Sequence, residues 1–379
     1  MAGPLNGIRV LEVAGIGPGP FCGMMLADMG AEVVRIDRPG DDPAMEGMHR
    51  VLLRNRKRVT LDLKKPEGVA AVLRMVGAAD ALFEGFRPGV AERLGIGPDA
   101  CLANNPRLVY GRMTGWGQSG PLATTAGHDI NYIALSGALH AIGRKGDRPV
   151  PPLNLVGDFG GGGMMLAFGM VCALLEARSS GLGQVIDASM VEGSAALMAM
   201  FFGARASGLH GEARGTNLLD TGAPFYDVYE TKDSRYVAVG PLEPQFFAVL
   251  RSKLALDASF GAQFDVASWP SQKEALATLF RSRTRDEWEA LFAGSDACVS
   301  PVLSMDEAPR HAHNASRQSF VTVGGAPQPA PTPRFSRTAP AAPEAKKANG
   351  ADTRRVLLDF GFGEAEIETL IAKGAVSTS

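Results

Sequence analysis

The first forty residues alternate between short β-branched apolar runs and breaks rich in glycine or charge. Residues 8–13 read as a strand, 15–20 as a tight Gly/Pro loop, 21–29 as a helix halted by Gly30, and 32–36 as a second strand closing at Asp37, Arg38, Pro39 and Gly40. Strand, helix and strand in that order predict a parallel pair with a right-handed crossover. Residues 59–63, 81–83 and 108–110 read as further buried strands, and 66–76 as a helix with proline near its start. This alternation predicts an open α/β sheet covered by helices.

Two later stretches, 164–177 and 190–206, are apolar almost all round. Helices of that kind are buried inside a domain or at a subunit interface. From Tyr226 the pattern changes. Residues 226–229 and 236–239 are aromatic and β-branched around a polar turn at 231–234, a hairpin signal. Helical patterns follow at 243–254, 272–280 and 285–292. The stretch 324–349 is rich in Pro and Ala and reads as an extended connector, and 353–372 returns to helical spacing. The resulting division is a large domain over 1–205, a small α+β domain over 226–319, and a connector with a C-terminal helix over 320–379 that returns to the large domain.

Composition adds exclusions. A chain of 379 residues is long enough for two domains, and a net charge of -2 argues against nucleic acid as the main partner. Cys22, Cys101, Cys172 and Cys298 show no CxxC pair, so neither a metal site nor a disulfide framework is expected, and reduced thiols suit a cytoplasmic protein. The N-terminus lacks a signal-peptide pattern, the C-terminus lacks a peroxisomal tripeptide, and the apolar stretch 164–175 is shorter than the ~20 residues that span a bilayer. No membrane partner is expected.

Four features could carry chemistry. The loop Gly15-Ile16-Gly17-Pro18-Gly19-Pro20 departs from G-x-G-x-x-G, and its prolines remove donors, so it reads as a tight turn more than a dinucleotide fingerprint. Arg38 ends the second strand, where a guanidinium suits a phosphate or stacks on an adenine. The cluster Arg54-Asn55-Arg56-Lys57-Arg58 is either a solvated surface turn or a clamp for several phosphates, which Arg87 and Arg93 would extend. His128 lies in a polar turn, Gly127-His128-Asp129-Ile130-Asn131-Tyr132. Thirty positions on, Asp158 precedes a run of four glycines. His128 reads as structural or as a proton carrier, and Asp158 as a helix cap or its counterpart. The glycines 160–163 would let backbone N–H groups face a developing oxyanion.

Taken in order, short segments spread over nearly the whole chain resemble the family-III coenzyme A transferase superfamily. They include Gly19-Pro20-Phe21-Cys22, Leu26-Ala27-Asp28, Leu61-Asp62-Leu63-Lys64, Leu153-Asn154-Leu155 with Asp158, Gly222-Ala223-Pro224-Phe225-Tyr226 and Glu243-Pro244-Gln245-Phe246. The segment Gly127 to Tyr132 is similar to the racemase branch. The resemblance implies an intertwined homodimer, each chain pairing a Rossmann-like large domain with a smaller α+β domain. It implies His128 and Asp158 as the catalytic pair, with Glu243 a third acid beside the histidine. It implies that Arg38, Leu61, Asp62, Leu63, Lys64 and the stretch Gly127, Asp129, Ile130, Asn131 and Tyr132 contact coenzyme A. The coenzyme would enter as part of an acyl-CoA substrate, so no separate cofactor is expected.

The chemistry fits. Removing the proton α to a thioester leaves an enolate, and inversion needs a base on one face and an acid on the other. Met164, Met165, Met190, Met198 and Met200 are candidates for an adaptable acyl surface or plain core. A transferase with Asp158 as nucleophile and a non-catalytic coenzyme-binding protein are the rival readings.

Overall fold

Strand β1 (Arg9–Val13) lies at the centre of a parallel sheet because its residues are apolar on both faces, Val10 and Leu11 being fully buried. In the computed structural model, residues 3–40, 43–257 and 260–378 are described. Around β1 stand β2 (Glu32–Asp37), β3 (Arg56–Leu61), β4 (Ala81–Glu84), β5 (Val109–Thr114) and β6 (Val185–Ser189), and the C-terminal β12 (Val376–Ser377) joins one edge. The order is β12-β3-β2-β1-β4-β5-β6, parallel except for β12, which runs antiparallel to β3. The chain turns outward from β1 first toward β3 and then toward β6. A ligand crevice opens at such a reversal, outside the carboxyl ends of the strands.

Two compact units divide the chain. The first comprises residues 1–136, 153–197 and 316–379, the second 137–152 and 198–315. Compared with the boundaries read from sequence, residues 137–152 and 198–205 fall in the second unit and residues 316–319 in the first. The apolar stretch from Met190 is two helices, Met190–Leu197 and Ala199–Ala206, broken at Met198. The second unit holds an antiparallel sheet of β7 (Asp227–Glu230), β8 (Tyr236–Val239) and β9 (Val299–Pro301). Helices Pro244–Lys253, Trp269–Phe280 and Arg285–Phe292 cover it around a core of Phe225, Phe247, Phe280 and Trp288.

The connector opens with a hairpin, β10 (Phe320–Val323) and β11 (Ala326–Pro329), turning on Gly324 and Gly325 at positive φ of 58° and 78°. It then runs beside β3, where Asn55 and Glu344 exchange hydrogen bonds. Helices Thr353–Asp359 and Glu364–Ala372 bury Val356, Leu357 and Ile367 in the first unit's core.

The glycine run is helix rather than loop. Residues Leu155–Met164 form a wide π-helical segment that continues into the helix Met165–Ser180. The continuous run 155–180, of 26 residues, is long and apolar enough to cross a bilayer by length and composition, which the shorter apolar stretch seen in sequence is not. It packs against β5, β6 and the helix Pro18–Asp28.

Candidate active site

The carboxyl ends of β1, β4 and β5 open into a cavity of about 430 Å³, within the range of small-molecule sites. Its floor is Val13, Phe83, Met113 and Thr114, and its walls include the loop Gly15–Gly19, the turn Gly85–Pro88, Trp116, Tyr132 and Met190. His128 and Asp158 both line it.

His128 is the N-cap of the helix Asp129–Leu135. Its backbone N–H donates to Asn131 Oδ1 at 3.0 Å, and its carbonyl accepts from Asn131 N at 2.8 Å. The cap fixes the backbone and leaves the imidazole exposed to the cavity. Behind it, the Tyr132 hydroxyl donates to the Gly127 carbonyl, and the Tyr132 and Trp116 rings meet edge to face at 4.8 Å. Gly127 is required by this packing: a Cβ there would lie 2.7 Å from Tyr132 and 2.9 Å from Trp116.

Asp158 sits in the π-helical segment, a geometry that recurs where a helix must present a functional side chain. Its Oδ2 accepts from Asn154 Nδ2 at 3.1 Å, and its backbone N–H donates to Asp129 Oδ1 at 2.7 Å. Gly17, at φ +62°, faces the carboxylate so closely that a Cβ would be 3.0 Å from Oδ2. Burial holds the Asp158 carboxyl above the usual range, and the charge of Asp129 adds to the rise. The Asn154 hydrogen bond and His128 oppose it.

The four glycines do not line the cavity. A Cβ at Gly161 would strike Ser194 N at 2.6 Å, at Gly162 Met190 Cγ at 2.8 Å, and at Gly163 Pro18 O at 2.6 Å. They allow helix-to-helix approach, and the expectation that they supply oxyanion donors is corrected on that ground. Of the five methionines singled out, Met190 lines the cavity, joined by Met48 and Met113, while Met198 and Met200 belong to the second unit.

A second cavity, of about 420 Å³, opens beside the first at the ends of β1, β2 and β3. Val13, Gly15, Ile16, His49 and Phe86 line both, so the two form one groove. Arg38 and Leu61, Asp62, Leu63 and Lys64 line this outer part, with Arg38 and Lys64 exposed.

The basic cluster is neither a surface turn nor a phosphate clamp. Arg54, Arg56 and Arg58 are buried in and before β3, each on an acid. Arg54 Nε meets Asp28 at 3.0 Å, Arg56 Nε meets Glu12 at 2.9 Å, and Arg58 Nε meets Asp37 at 2.8 Å while its two terminal nitrogens grip Glu46. Arg35 closes the network on Glu12 and Asp37. Burial works to raise the Glu12 carboxyl, but Arg56 and Arg35 outweigh it and hold it below the usual range. Buried charges survive only when paired in this way. The sequence shows the arginines, but their acids lie up to 44 residues away.

The remaining predicted residues are dispersed. Arg87 is exposed and lines the inner cavity, whereas Arg93 is exposed in a short helix and lines neither part of the groove. Ile130 and Asn131 are exposed on the helix behind His128, and Asp129 turns inward and is buried. Glu243 lies in the second unit, as N-cap of the helix Pro244–Lys253, exposed and close enough to Cys298 to help raise its thiol. Sequence reasoning missed His49, buried at 6% exposure and lining both parts of the groove, with Nε2 3.5 Å from Gly17 N. It also missed Asn154 as a partner of Asp158, although the spacing of four residues on a helix was available as a signal.

A doubly wound sheet with a histidine and a carboxyl group facing one cavity at its reversal point defines the class. Residues 5–353 match CoA-transferase family III, and the chain belongs to that family. It is 49% identical over 367 residues to the alpha-methylacyl-CoA racemase of Mus musculus, covering 96% of this chain and 95% of that one. It is 45% identical over 370 residues to the alpha-methylacyl-CoA racemase of Homo sapiens, covering 97% and 96%. In fold it is similar to a CAIB/BAIF family protein from Brucella suis, with a TM-score of 0.81, 23% identity, and coverage of 95% of this chain and 100% of that one.

Proposed function

We propose that this chain is an isomerase that inverts the α-carbon of 2-methylacyl-CoA thioesters by moving a proton off one face and onto the other. One observation carries the reading: His128 and Asp158, two unlike proton carriers from separate elements, face a single cavity. The likeness over nearly the full chain to two proteins named alpha-methylacyl-CoA racemase supports it.

In one direction the His128 imidazole takes the α-proton and the C–H electron pair passes into an enolate. Asp158, entering protonated, then delivers its proton to the opposite face of the same carbon. In the other direction Asp158 enters as the carboxylate and His128 as the imidazolium. A site of this kind needs a carboxyl group that keeps its proton near neutrality, and the upward push on Asp158 acts in that sense. Coenzyme A arrives as part of the substrate, and no further cofactor takes part. The exposed Arg38 and the segment Leu61 to Lys64 hold the nucleotide end in the outer groove. Arg87, Gly127 and Tyr132 flank the thioester end.

A homodimer is part of the proposal. Phe168 and Leu175, each 67% exposed on the helix Met165–Ser180, and Leu155, at 55%, give an apolar face suited to a second copy. The assembly is proposed to work in the cytoplasm.

The test is to incubate one pure epimer in heavy water with no acceptor acid. Deuterium at the α-carbon together with epimerisation supports the isomerase. Absence of exchange, with coenzyme A passing to an added carboxylate, would instead assign Asp158 as the nucleophile of a transferase.

A further inference from the structure

The second carboxylate beside the reaction is Asp129, next in sequence to His128 yet pointed away from the cavity. It is 6% exposed. Its Oδ1 accepts the Asp158 backbone N–H at 2.7 Å. Its Oδ2 is buried with no hydrogen-bond partner among the described residues. No cation pairs with it among those residues, in contrast to Glu12, Asp28 and Asp37 in the same unit, each of which has an arginine.

A buried carboxylate with an empty lone-pair side is costly. Its approach is built into the chain: a Cβ at Gly157 would be 2.3 Å from Asp129 Oδ1 and 2.7 Å from Cγ. Only glycine at 157 lets the carboxylate reach the backbone of Asp158. One rigid turn, 127–132, thus carries the base on one residue and grips the acid with the next.

We propose, resting on the isomerase reading, that Asp129 is a positioning residue that acts through Asp158: it fixes the acid's backbone opposite His128 and, as an uncompensated neighbouring charge, biases that acid toward holding its proton. The groups facing Asp158 from the elements around it are Asp129, His128 and the neutral phenol of Tyr132 on the turn and helix of 127–135 and Asn154 before its own segment, while the Gly17 loop presents backbone alone. Among them Asp129 is the one that favours the protonated form electrostatically, since His128 and Asn154 both favour the carboxylate.

Asp129→Asn keeps an acceptor for the Asp158 N–H and removes the charge. The acid limb of kcat/KM for α-proton exchange, where the pair passes from two protons to one, then moves to lower pH by about one unit. The KM for acyl-CoA and the alkaline limb stay in place. Asp129→Ala, which also removes the acceptor, lowers kcat further. A profile for Asp129→Asn superimposable on that of the parent overturns the proposal and leaves Asp129 a structural acceptor.

A second readout is independent of turnover. In protein labelled with ¹³C at the aspartate carboxyls, Asp129→Asn should lower the titration midpoint of Asp158, because the neighbouring charge that favours its protonated form is gone. An unmoved Asp158 midpoint also overturns the proposal. Should the parent enzyme exchange no α-proton at all, the isomerase reading fails while this titration still reports the coupling.

Discussion

Gly17 and Asp158 meet backbone to carboxylate, with the position of a Cβ at Gly17 only 3.0 Å from Asp158 Oδ2. Gly17 also has φ +62° and ψ -111°, a conformation that residues with a side chain rarely adopt. Gly17→Ala should therefore cost about 1–3 kcal/mol of backbone strain and push the carboxylate from its place. The expected outcome is a fall in kcat that exceeds the loss of thermal stability, read by comparing exchange rates with Tm. An alanine variant with parental kcat would show that the contact does not position the acid.

His128→Ala and Asp158→Asn should each reduce α-proton exchange by roughly 10²–10⁴-fold, the usual contribution of a positioned proton carrier. Coenzyme A affinity should be unchanged, because the outer groove is lined by other residues. Calorimetric titration with coenzyme A beside the exchange assay separates the two. Turnover surviving both changes would remove the pair from the mechanism.

Arg38 and Arg54 offer a contrast between two guanidinia only sixteen positions apart. Arg38 is exposed at the groove, so Arg38→Ala should weaken coenzyme A binding, with the loss shrinking as salt is raised. Arg54 and Asp28 are each 2% exposed, so Arg54→Ala leaves a buried carboxylate unpaired and should cost about 3–5 kcal/mol of stability. Urea unfolding and ligand titration on both variants check the assignment. A clamp role for the 54–58 cluster would give the opposite pattern.

His49 should make stability depend on pH in a definite direction. Burial, followed by the charge of Arg35, holds its imidazole below the usual range. As pH falls below the unfolded value of ~6.5, the unfolded chain takes up a proton that the folded chain resists. The stabilisation is therefore complete above that pH and is lost as pH falls through the folded value. The parent Tm should drop over that window by more than the Tm of His49→Gln. Glu46, held at about 2 by Arg58 and Lys346 against its burial, adds acid sensitivity only below the ordinary glutamate range, so the two are separable. Parallel curves for parent and variant would rule His49 out as the source.

Much of the fold was legible locally. The β1–helix–β2 unit and the hairpin of β7 and β8 depend on runs of four to eleven residues whose periodicity sets burial. The break at Met198 and the π-helical course of the glycines were not legible. The course of the glycines depends on what packs against it, namely Ser194, Met190 and Pro18. His128 and Asp158 stood out by residue type and neighbours, whereas His49 and the inward turn of Asp129 had no local signature.

By itself the sequence determined the alternation of strands and helices, the family, and the two residues able to trade a proton, because these follow from short-range pattern and side-chain chemistry. The tertiary structure alone decided that Arg54, Arg56 and Arg58 are internal ion pairs and that His128 and Asp158 share one cavity. It also decided that Asp129 grips the acid it stands beside. The reason is physical. Burial and electrostatics depend on distances through space, and residues 12 and 56, or 129 and 158, become neighbours only once the sheet has closed.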